Sequence, residues 1–91
     1  MHLFCCQTFF ASGKLDKIND CRDRHVDYIK QKKSIHYGGV ITDENNQYKG
    51  ILIIFHANSI EEATEFIKND PYFELYDKYL INFFTQRIPK T

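Results

Sequence analysis

The sequence predicts an α+β fold in which four strands form one antiparallel sheet and two helices pack on it. Segments rich in β-branched and aromatic residues occur four times, and two segments with apolar residues at three- and four-residue spacing lie between them. This succession follows the order β-α-β-β-α-β, which is the split βαβ or ferredoxin-like arrangement. Right-handed crossovers would place both helices on the same face of the sheet.

The first strand is predicted over Leu3–Phe10, because this aromatic-rich segment ends at the turn-forming residues 11–13. A helical pattern then runs from about Leu15 to Lys33. Its apolar positions include Ile18 and Ile29, while charged residues occupy most of the remaining positions, as expected for a solvated face. The segment therefore predicts an amphipathic helix.

A hairpin is predicted next. Residues 34–42 (SIHYGGVIT) and residues 50–57 (GILIIFHA) have strand composition, and the polar segment 43–47 separates them. A connection of this length predicts a hairpin with a loop longer than two residues.

The second helix has clear start and stop signals. Ser59 and Glu62 match a capping box at its beginning, and Asp70-Pro71 ends it, because the residue before a proline avoids helical geometry. Residues 71–76 are predicted to form a short helical turn. The last strand is predicted over residues 79–88.

The composition indicates one globular domain over residues 1–91. The chain has 91 residues, 43% of them hydrophobic, with twelve basic and twelve acidic side chains. A neutral chain lacks the basic surface of a nucleic-acid-binding protein, and no apolar run is long enough to cross a membrane, so neither partner is expected. Three cysteines, two of them adjacent, do not form a disulfide framework and favour a reducing, cytoplasmic location.

Two strand segments are apolar at nearly every position, residues 51–55 (ILIIF) and 80–84 (LINFF). A sheet covered on one face only should alternate apolar and polar residues. The helix-free face therefore needs a cover that the two helices cannot supply. A second copy of the same sheet is the simplest one, so the sequence predicts a homodimer through the helix-free face.

His25 and Asp70 are the candidate catalytic residues. His25 lies on the apolar stripe of the first helix, where it is either a core histidine with a backbone or water partner or a general acid/base. Asp70 either caps the turn that follows the second helix or orients His25, as a carboxylate does in many acid–base pairs. The sequence leaves both alternatives open.

Substrate-binding candidates are Arg22, Tyr37 and Tyr72. Arg22 lies one helical turn before His25 and can bind a carboxylate through its guanidinium fork, or it can be an exposed residue paired with a nearby aspartate. The two tyrosines can line a pocket for a flat ligand, although most aromatic residues of a small domain belong to the core. No metal or cofactor is expected, because the short motifs of zinc and phosphate sites are missing, although His2, His36 and His56 can lie at one edge.

An ordered set of short motifs resembles the YciI-like (YCII-related) family of small bacterial proteins over nearly the whole chain. The motifs are Arg22-Asp23-Arg24-His25, Gly38-Gly39, Lys49-Gly50-Ile51-Leu52-Ile53, Ser59-Ile60-Glu61-Glu62-Ala63, Asn69-Asp70-Pro71-Tyr72 and Gln86-Arg87-Ile88-Pro89-Lys90. The resemblance implies a dimeric α+β barrel with a cleft beside a His–Asp pair, at His25 and Asp70. Members of this family are mostly of unproven function, and a few relatives are linked to dehalogenation or isomerisation of oxidised aromatic-ring products.

The sequence and the resemblance together predict a small-molecule enzyme without a cofactor. It would act as an isomerase, lyase or dehalogenase on a small ring-derived acid or lactone, with His25 as acid/base and Asp70 orienting it. One alternative is a non-catalytic ligand-binding or regulatory module that uses the same cleft, and another is a purely structural dimer without ligand or product.

Overall fold

The computed structural model describes residues 1–89 and contains the predicted elements in the predicted order. They are β1 (His2–Phe10), α1 (Leu15–Lys30), β2 (Ile35–Thr42), β3 (Tyr48–Ala57), α2 (Ile60–Lys68) and β4 (Tyr76–Phe83). A single 3-10 turn at Phe73–Leu75 precedes β4. The last two residues of the predicted domain, including the Lys90 of the resemblance, lie outside the described residues.

The four strands form one antiparallel sheet in the order β2-β3-β1-β4. The two central strands, β1 and β3, pair from His2 with Ala57 to Gln7 with Leu52. This order is the one that two right-handed β-α-β crossovers generate. The prediction of a ferredoxin-like α+β fold is confirmed.

The core lies on the face of the sheet that both helices cover. It consists of Phe4 and Cys6 from β1, Ile51, Ile53, Phe55 and Ala57 from β3, Ile18 from α1, Ala63 and Ile67 from α2, and Tyr72 and Leu75 from the segment before β4. The strand residues among these alternate with neighbours on the opposite face, as strand geometry requires. The two helices therefore share one side of the sheet, as predicted.

The predicted start signal of α2 acts as a cap. The hydroxyl Oγ of Ser59 accepts a hydrogen bond from the backbone N–H of Glu62, at 3.1 Å. The Glu62 carboxylate accepts instead from the side chain of Asn58, at 3.2 Å. The helix thus begins at Ile60 with one of its unpaired N–H groups satisfied.

Gly50 allows β1 and β3 to approach closely. A Cβ atom at this position would lie 1.8 Å from the backbone oxygen of Thr8, so no other residue fits without a backbone shift. The adjacent N–H of Ile51 donates to the Thr8 hydroxyl at 3.0 Å. A buried threonine thus joins the two central strands where the glycine brings them together.

Three predicted boundaries were wrong by three residues or more. The first helix ends at Lys30 rather than Lys33, because the chain turns there so that Ser34 can accept a backbone hydrogen bond from His56, at 2.8 Å. The last strand covers Tyr76–Phe83 rather than residues 79–88. Its partner is β1, so its length follows β1, from the pair Phe10–Tyr76 to the pair Phe4–Phe83.

The helix-free face of the sheet carries exposed apolar side chains. Phe9 on β1 is 38% exposed, Ile41 on β2 37% and Leu80 on β4 40%. Their cross-strand partners place them on the face opposite to the core. Within residues 1–89, neither helix has the length and hydropathy needed to span a bilayer.

Candidate functional site

A cavity of about 360 Å³ lies between α1 and the β2–β3 side of the sheet. Its walls are mainly apolar, with Val26 and Ile29 on α1, Val40 on β2 and Ile53 on β3. In α1 only Ile18, near the helix start, is buried. Further along, the helix leaves a gap above the sheet, and the cavity occupies it.

Gly38 helps to keep this gap open. A Cβ atom at position 38 would lie 2.7 Å from the backbone oxygen of Leu52, so the sheet excludes a side chain there. The position opposite Ile53 is consequently without a side chain. The Gly38-Gly39 pair therefore contributes backbone alone to the lining.

His25 and Asp70 meet at this cavity. The imidazole Nδ1 lies 2.7 Å from the carboxylate Oδ1, although the two residues are 45 positions apart in the sequence. The side chain of His25 is 12% exposed and that of Asp70 2%. A short contact between an imidazole and a buried carboxylate is a charge-assisted hydrogen bond when the ring is protonated.

Asp70 combines the two roles that the sequence leaves as alternatives. The same oxygen that faces His25 also accepts the backbone N–H of Tyr72, at 2.9 Å. The Asp70 carbonyl accepts the N–H of Phe73, at 2.8 Å, as the chain enters the 3-10 turn. Asp70 therefore caps the turn after α2 and holds the histidine with one carboxylate.

The contact with Asp70 determines which His25 nitrogen remains available to a ligand. In the neutral ring, a proton on Nδ1 lets this nitrogen donate to the carboxylate, which leaves Nε2 as an acceptor. Within residues 1–89 Nε2 has no hydrogen-bond partner, and no buried side-chain nitrogen or oxygen is unpaired. Nε2 is therefore accessible, and the space that His25 borders is the cavity.

Tyr72 packs directly on His25. The two rings are stacked with their centroids 4.1 Å apart and an interplanar angle of 15°. Phe10 contacts the phenol ring edge-on at 5.2 Å. Burial raises the pKa of the Tyr72 hydroxyl, and the neighbouring Arg22 guanidinium partly offsets this effect.

Arg22 lies at one end of the cavity. Its guanidinium carbon is 5.3 Å from the centre of the Tyr48 ring, and Nη2 donates to the Asn19 side chain at 2.8 Å. Within residues 1–89 these partners are an aromatic face and a neutral amide, and not the nearby aspartate of the alternative that the sequence leaves open. A guanidinium with spare donors at the end of an apolar cavity suits an anionic oxygen of a ligand.

The structure does not bring Tyr37 to the cavity. Tyr37 pairs with Ile54 and is 48% exposed on the helix-free face, whereas the next residue, Gly38, faces the cavity. Successive side chains of a strand point to opposite faces, so the Tyr37 side chain points away from the cavity. Arg22, His25 and Tyr72 line the cavity, and Asp70, outside the lining, binds His25 and the Tyr72 backbone.

Tyr48 is a lining residue that sequence reasoning missed. Extending the alternation of Ile51 and Ile53 backwards along β3 points to Lys49 instead. The register shifts at this place, because Ile41 pairs with Gly50 and Thr42 with Tyr48, so that Lys49 is an extra residue. The turn-like polar segment before Tyr48 was the only signal in the sequence, and it does not locate the bulge.

Of the three histidines predicted at one edge of the sheet, the structure brings only His36 and His56 close to each other. The rings of His36 and His56 are 6.2 Å apart, whereas His2 packs against Phe83 at 5.5 Å. Within residues 1–89 there is no group of three or more His, Cys, Asp or Glu side chains placed to hold a metal ion.

No protein-family model and no curated protein sequence matches the chain. Among solved structures, it is similar to 5-chloro-2-hydroxyhydroquinone dehydrochlorinase (TftG) from Burkholderia phenoliruptrix AC1100, in complex with 2,5-dihydroxybenzoquinone. The TM-score is 0.87 and the identity 22%, over 98% of this chain and 99% of that one.

More distant similarities have the same architecture. A conserved protein from Methanosarcina mazei Go1 has a TM-score of 0.58 and 12% identity, over 96% of this chain and 95% of that one. An uncharacterized NIPSNAP domain protein from Burkholderia xenovorans has a TM-score of 0.53 and 12% identity, over 100% and 99%. The chain therefore has the ferredoxin-like α+β fold that the resemblance to the YciI-like family implies.

Proposed function

We propose that the chain is a YciI-like small-molecule enzyme that needs no cofactor and uses His25 as its acid/base. The observation that carries this proposal is the 2.7 Å contact between His25 Nδ1 and Asp70 Oδ1, which leaves Nε2 accessible at the cavity. An imidazole oriented by a buried carboxylate is suited to proton transfer near neutral pH. Asp70 orients the ring and stabilises its protonated form.

The reaction class is a proton shift or an elimination on a ring compound. Nε2 accepts a proton from a ring carbon or hydroxyl, and the electron pair left behind forms a new double bond. In an elimination, a leaving group on the neighbouring atom departs with its bonding electrons, and the imidazolium then releases its proton to the leaving group or to water. In an isomerisation, the imidazolium instead returns the proton to a different ring atom, so that His25 is neutral again at the end.

The proposed substrate is a small, flat, ring-derived acid or lactone. Apolar walls from α1, β2 and β3 suit the faces of such a ring, and the Arg22 guanidinium beside the Tyr72 hydroxyl suits an anionic oxygen. The similarity to a dehydrochlorinase in complex with 2,5-dihydroxybenzoquinone supports a ligand of this kind. That compound is therefore the first ligand to test.

We further propose that the chain works as a homodimer through its helix-free face. The support is the set of exposed apolar side chains there, which a second copy would cover across a twofold axis. Sedimentation at micromolar concentration should give twice the mass of one chain. Leu80→Glu should shift the protein to monomers, and a wild-type monomer would contradict the proposal.

The free thiols of Cys5, Cys6 and Cys21 favour a reducing, cytoplasmic location.

The experiment that tests the activity begins with binding. Small hydroxyquinones and ring-derived acids are screened by thermal shift, since a ligand that binds the folded state raises its melting temperature. Stabilising compounds are then incubated with the protein, and product is sought by mass spectrometry. We expect His25→Gln to lower kcat by about 10²–10⁴-fold, the usual contribution of a general acid/base.

His2→Gln is the matched control, because it changes an exposed histidine outside the cavity in the same way. Turnover that survives His25→Gln at the wild-type rate would contradict the proposed role of His25. Binding without any product would instead indicate the alternative, a non-catalytic ligand-binding or regulatory module.

A further inference from the structure

Tyr72 lines the cavity and also stacks directly on the His25 ring. Its phenol ring is 1% exposed and stacks on the imidazole at 4.1 Å. Its backbone N–H donates to the Asp70 oxygen that faces His25. A side chain with so little free surface has little area left for a ligand, and its ring contacts His25 on one face and the edge of Phe10.

A single hydrogen bond does not determine the plane of an imidazole ring. The contact between Nδ1 and Oδ1 limits the position of Nδ1, but one hydrogen bond tolerates a range of angles, so the ring can still swing by rotation about the Cα–Cβ and Cβ–Cγ bonds. Such a swing moves Nε2 across the cavity. A flat partner at van der Waals distance against one ring face, tilted by only 15°, removes this freedom.

The partner ring is itself held in place. Phe10 meets it nearly perpendicularly, with an interplanar angle of 86°, and the shared hydrogen bond to Asp70 anchors the Tyr72 backbone. The Asp70 oxygen thus positions His25 in two ways. It binds Nδ1 at the edge of the imidazole ring, and it anchors Tyr72, which packs on the face of that ring.

We propose that Tyr72 is a positioning residue, which holds the plane of the His25 ring so that Nε2 keeps one direction into the cavity. This role rests on the proposed function of His25 as acid/base. It differs from substrate binding, because the aromatic face of Tyr72 acts on the histidine and not on the ligand. Proton transfer depends on such alignment, and a displacement of about 1 Å can lower a rate about 10²-fold.

The test uses NMR of the ligand-free protein and therefore does not depend on finding a substrate. In the wild type we expect nuclear Overhauser contacts between the Tyr72 ring protons and the His25 ring protons, whose signals are shifted upfield by the stacked ring. The order parameter of the His25 Cε1–H bond should be about 0.85, the value of rigid backbone groups. His25→Gln assigns the signals.

Tyr72→Phe should keep these features, because it retains the aromatic face. Tyr72→Leu should remove the upfield shift and lower the order parameter toward about 0.6. Tyr76→Leu is the matched control, since Tyr76 also packs on Phe10, at 5.3 Å, but does not stack on His25. The control separates loss of core packing from loss of the stacked face.

Absence of the wild-type contacts overturns the proposal, and this result does not require any variant to fold. An unchanged order parameter in Tyr72→Leu also overturns it, as does an equal fall in Tyr76→Leu. Should Tyr72→Leu not fold, the same measurements on Tyr72→Met decide. When a substrate is known, wild-type turnover by a variant with a loosened His25 ring would overturn the positioning role, whereas failure to find any turnover bears on the proposed function alone.

Discussion

Replacing Asp70 by alanine or by asparagine should have very different effects on stability. Asp70 is 4% exposed, and its Oδ1 accepts two hydrogen bonds, from the His25 ring at 2.7 Å and from the Tyr72 N–H at 2.9 Å. Asp70→Ala removes the acceptor for both donors. Asp70→Asn keeps an oxygen in the same place and loses the charge only.

The magnitude follows from what each variant leaves unpaired. An orphaned buried N–H costs about 1–3 kcal/mol, and a hydrogen bond to a charged group contributes about 1.5–3 kcal/mol. Release of the carboxylate from its buried position offsets part of this loss. We therefore expect Asp70→Ala to lower the free energy of unfolding by about 2–4 kcal/mol and Asp70→Asn by about 1 kcal/mol.

Urea unfolding followed by circular dichroism measures both values, at one protein concentration because the proposed dimer makes stability concentration-dependent. At about 4–8 °C per kcal/mol in a domain of this size, the expected loss corresponds to a melting temperature about 8–32 °C below that of the wild type for the alanine variant. Asp77→Ala, at an exposed position, is the control for loss of a carboxylate. Equal stabilities of the alanine and asparagine variants, within about 0.5 kcal/mol, would refute the argument that Asp70 satisfies buried donors.

Three further predictions concern the fold. Gly50→Ala should destabilise the protein by more than about 3 kcal/mol or prevent folding, because its Cβ would lie 1.8 Å from a backbone oxygen. Gly39→Ala is the control and should be nearly neutral in the same urea titration, because its Cβ would meet nothing within 4 Å. Similar losses of stability in the two variants would contradict this reasoning. Burial raises the pKa of Cys6 from 9.0 to about 12 and that of Tyr28 from 10.0 to about 12, so the folded state keeps protons that the unfolded chain releases. The free energy of unfolding should therefore be constant below about pH 9 and decrease toward pH 12, with a smaller decrease in Tyr28→Phe. Urea unfolding at each pH measures it, and a free energy that does not change over this range would contradict the prediction. Ser59→Ala should cost about 1 kcal/mol by removing the cap of α2, and no change in the urea midpoint would show that the cap is replaced by water.

Local patterns in the sequence indicate two residues of the candidate site, His25 and Asp70. His25 lies on the apolar stripe of an amphipathic helix, and Asp70 precedes a proline at the end of the next helix. Neither pattern shows that the two side chains meet, because they are 45 positions apart and the contact depends on how α1 and the end of α2 lie on the sheet. The resemblance to a family supplied that expectation, and the 2.7 Å distance is a property of the tertiary structure.

The cavity residues show the same division. Tyr37 and Gly38 are adjacent, and which of them faces the cavity depends on the pairing of β2 with β3, not on residue type. Tyr48 reaches the lining only because Lys49 is an extra residue in the ladder. A shift of one residue moves every later side chain to the other face, so an alternation rule fails beyond a bulge.

By itself, the sequence determined the order of the elements, the cap at Ser59 and the apolar stripe along one face of each helix. These features depend on residues within one or two turns of each other, so local geometry is enough to predict them. The tertiary structure decided the register at Lys49, the gap beneath α1 and the joining of His25, Asp70 and Tyr72. Those features depend on residues far apart in the chain, whose positions follow only from packing the helices and the sheet together.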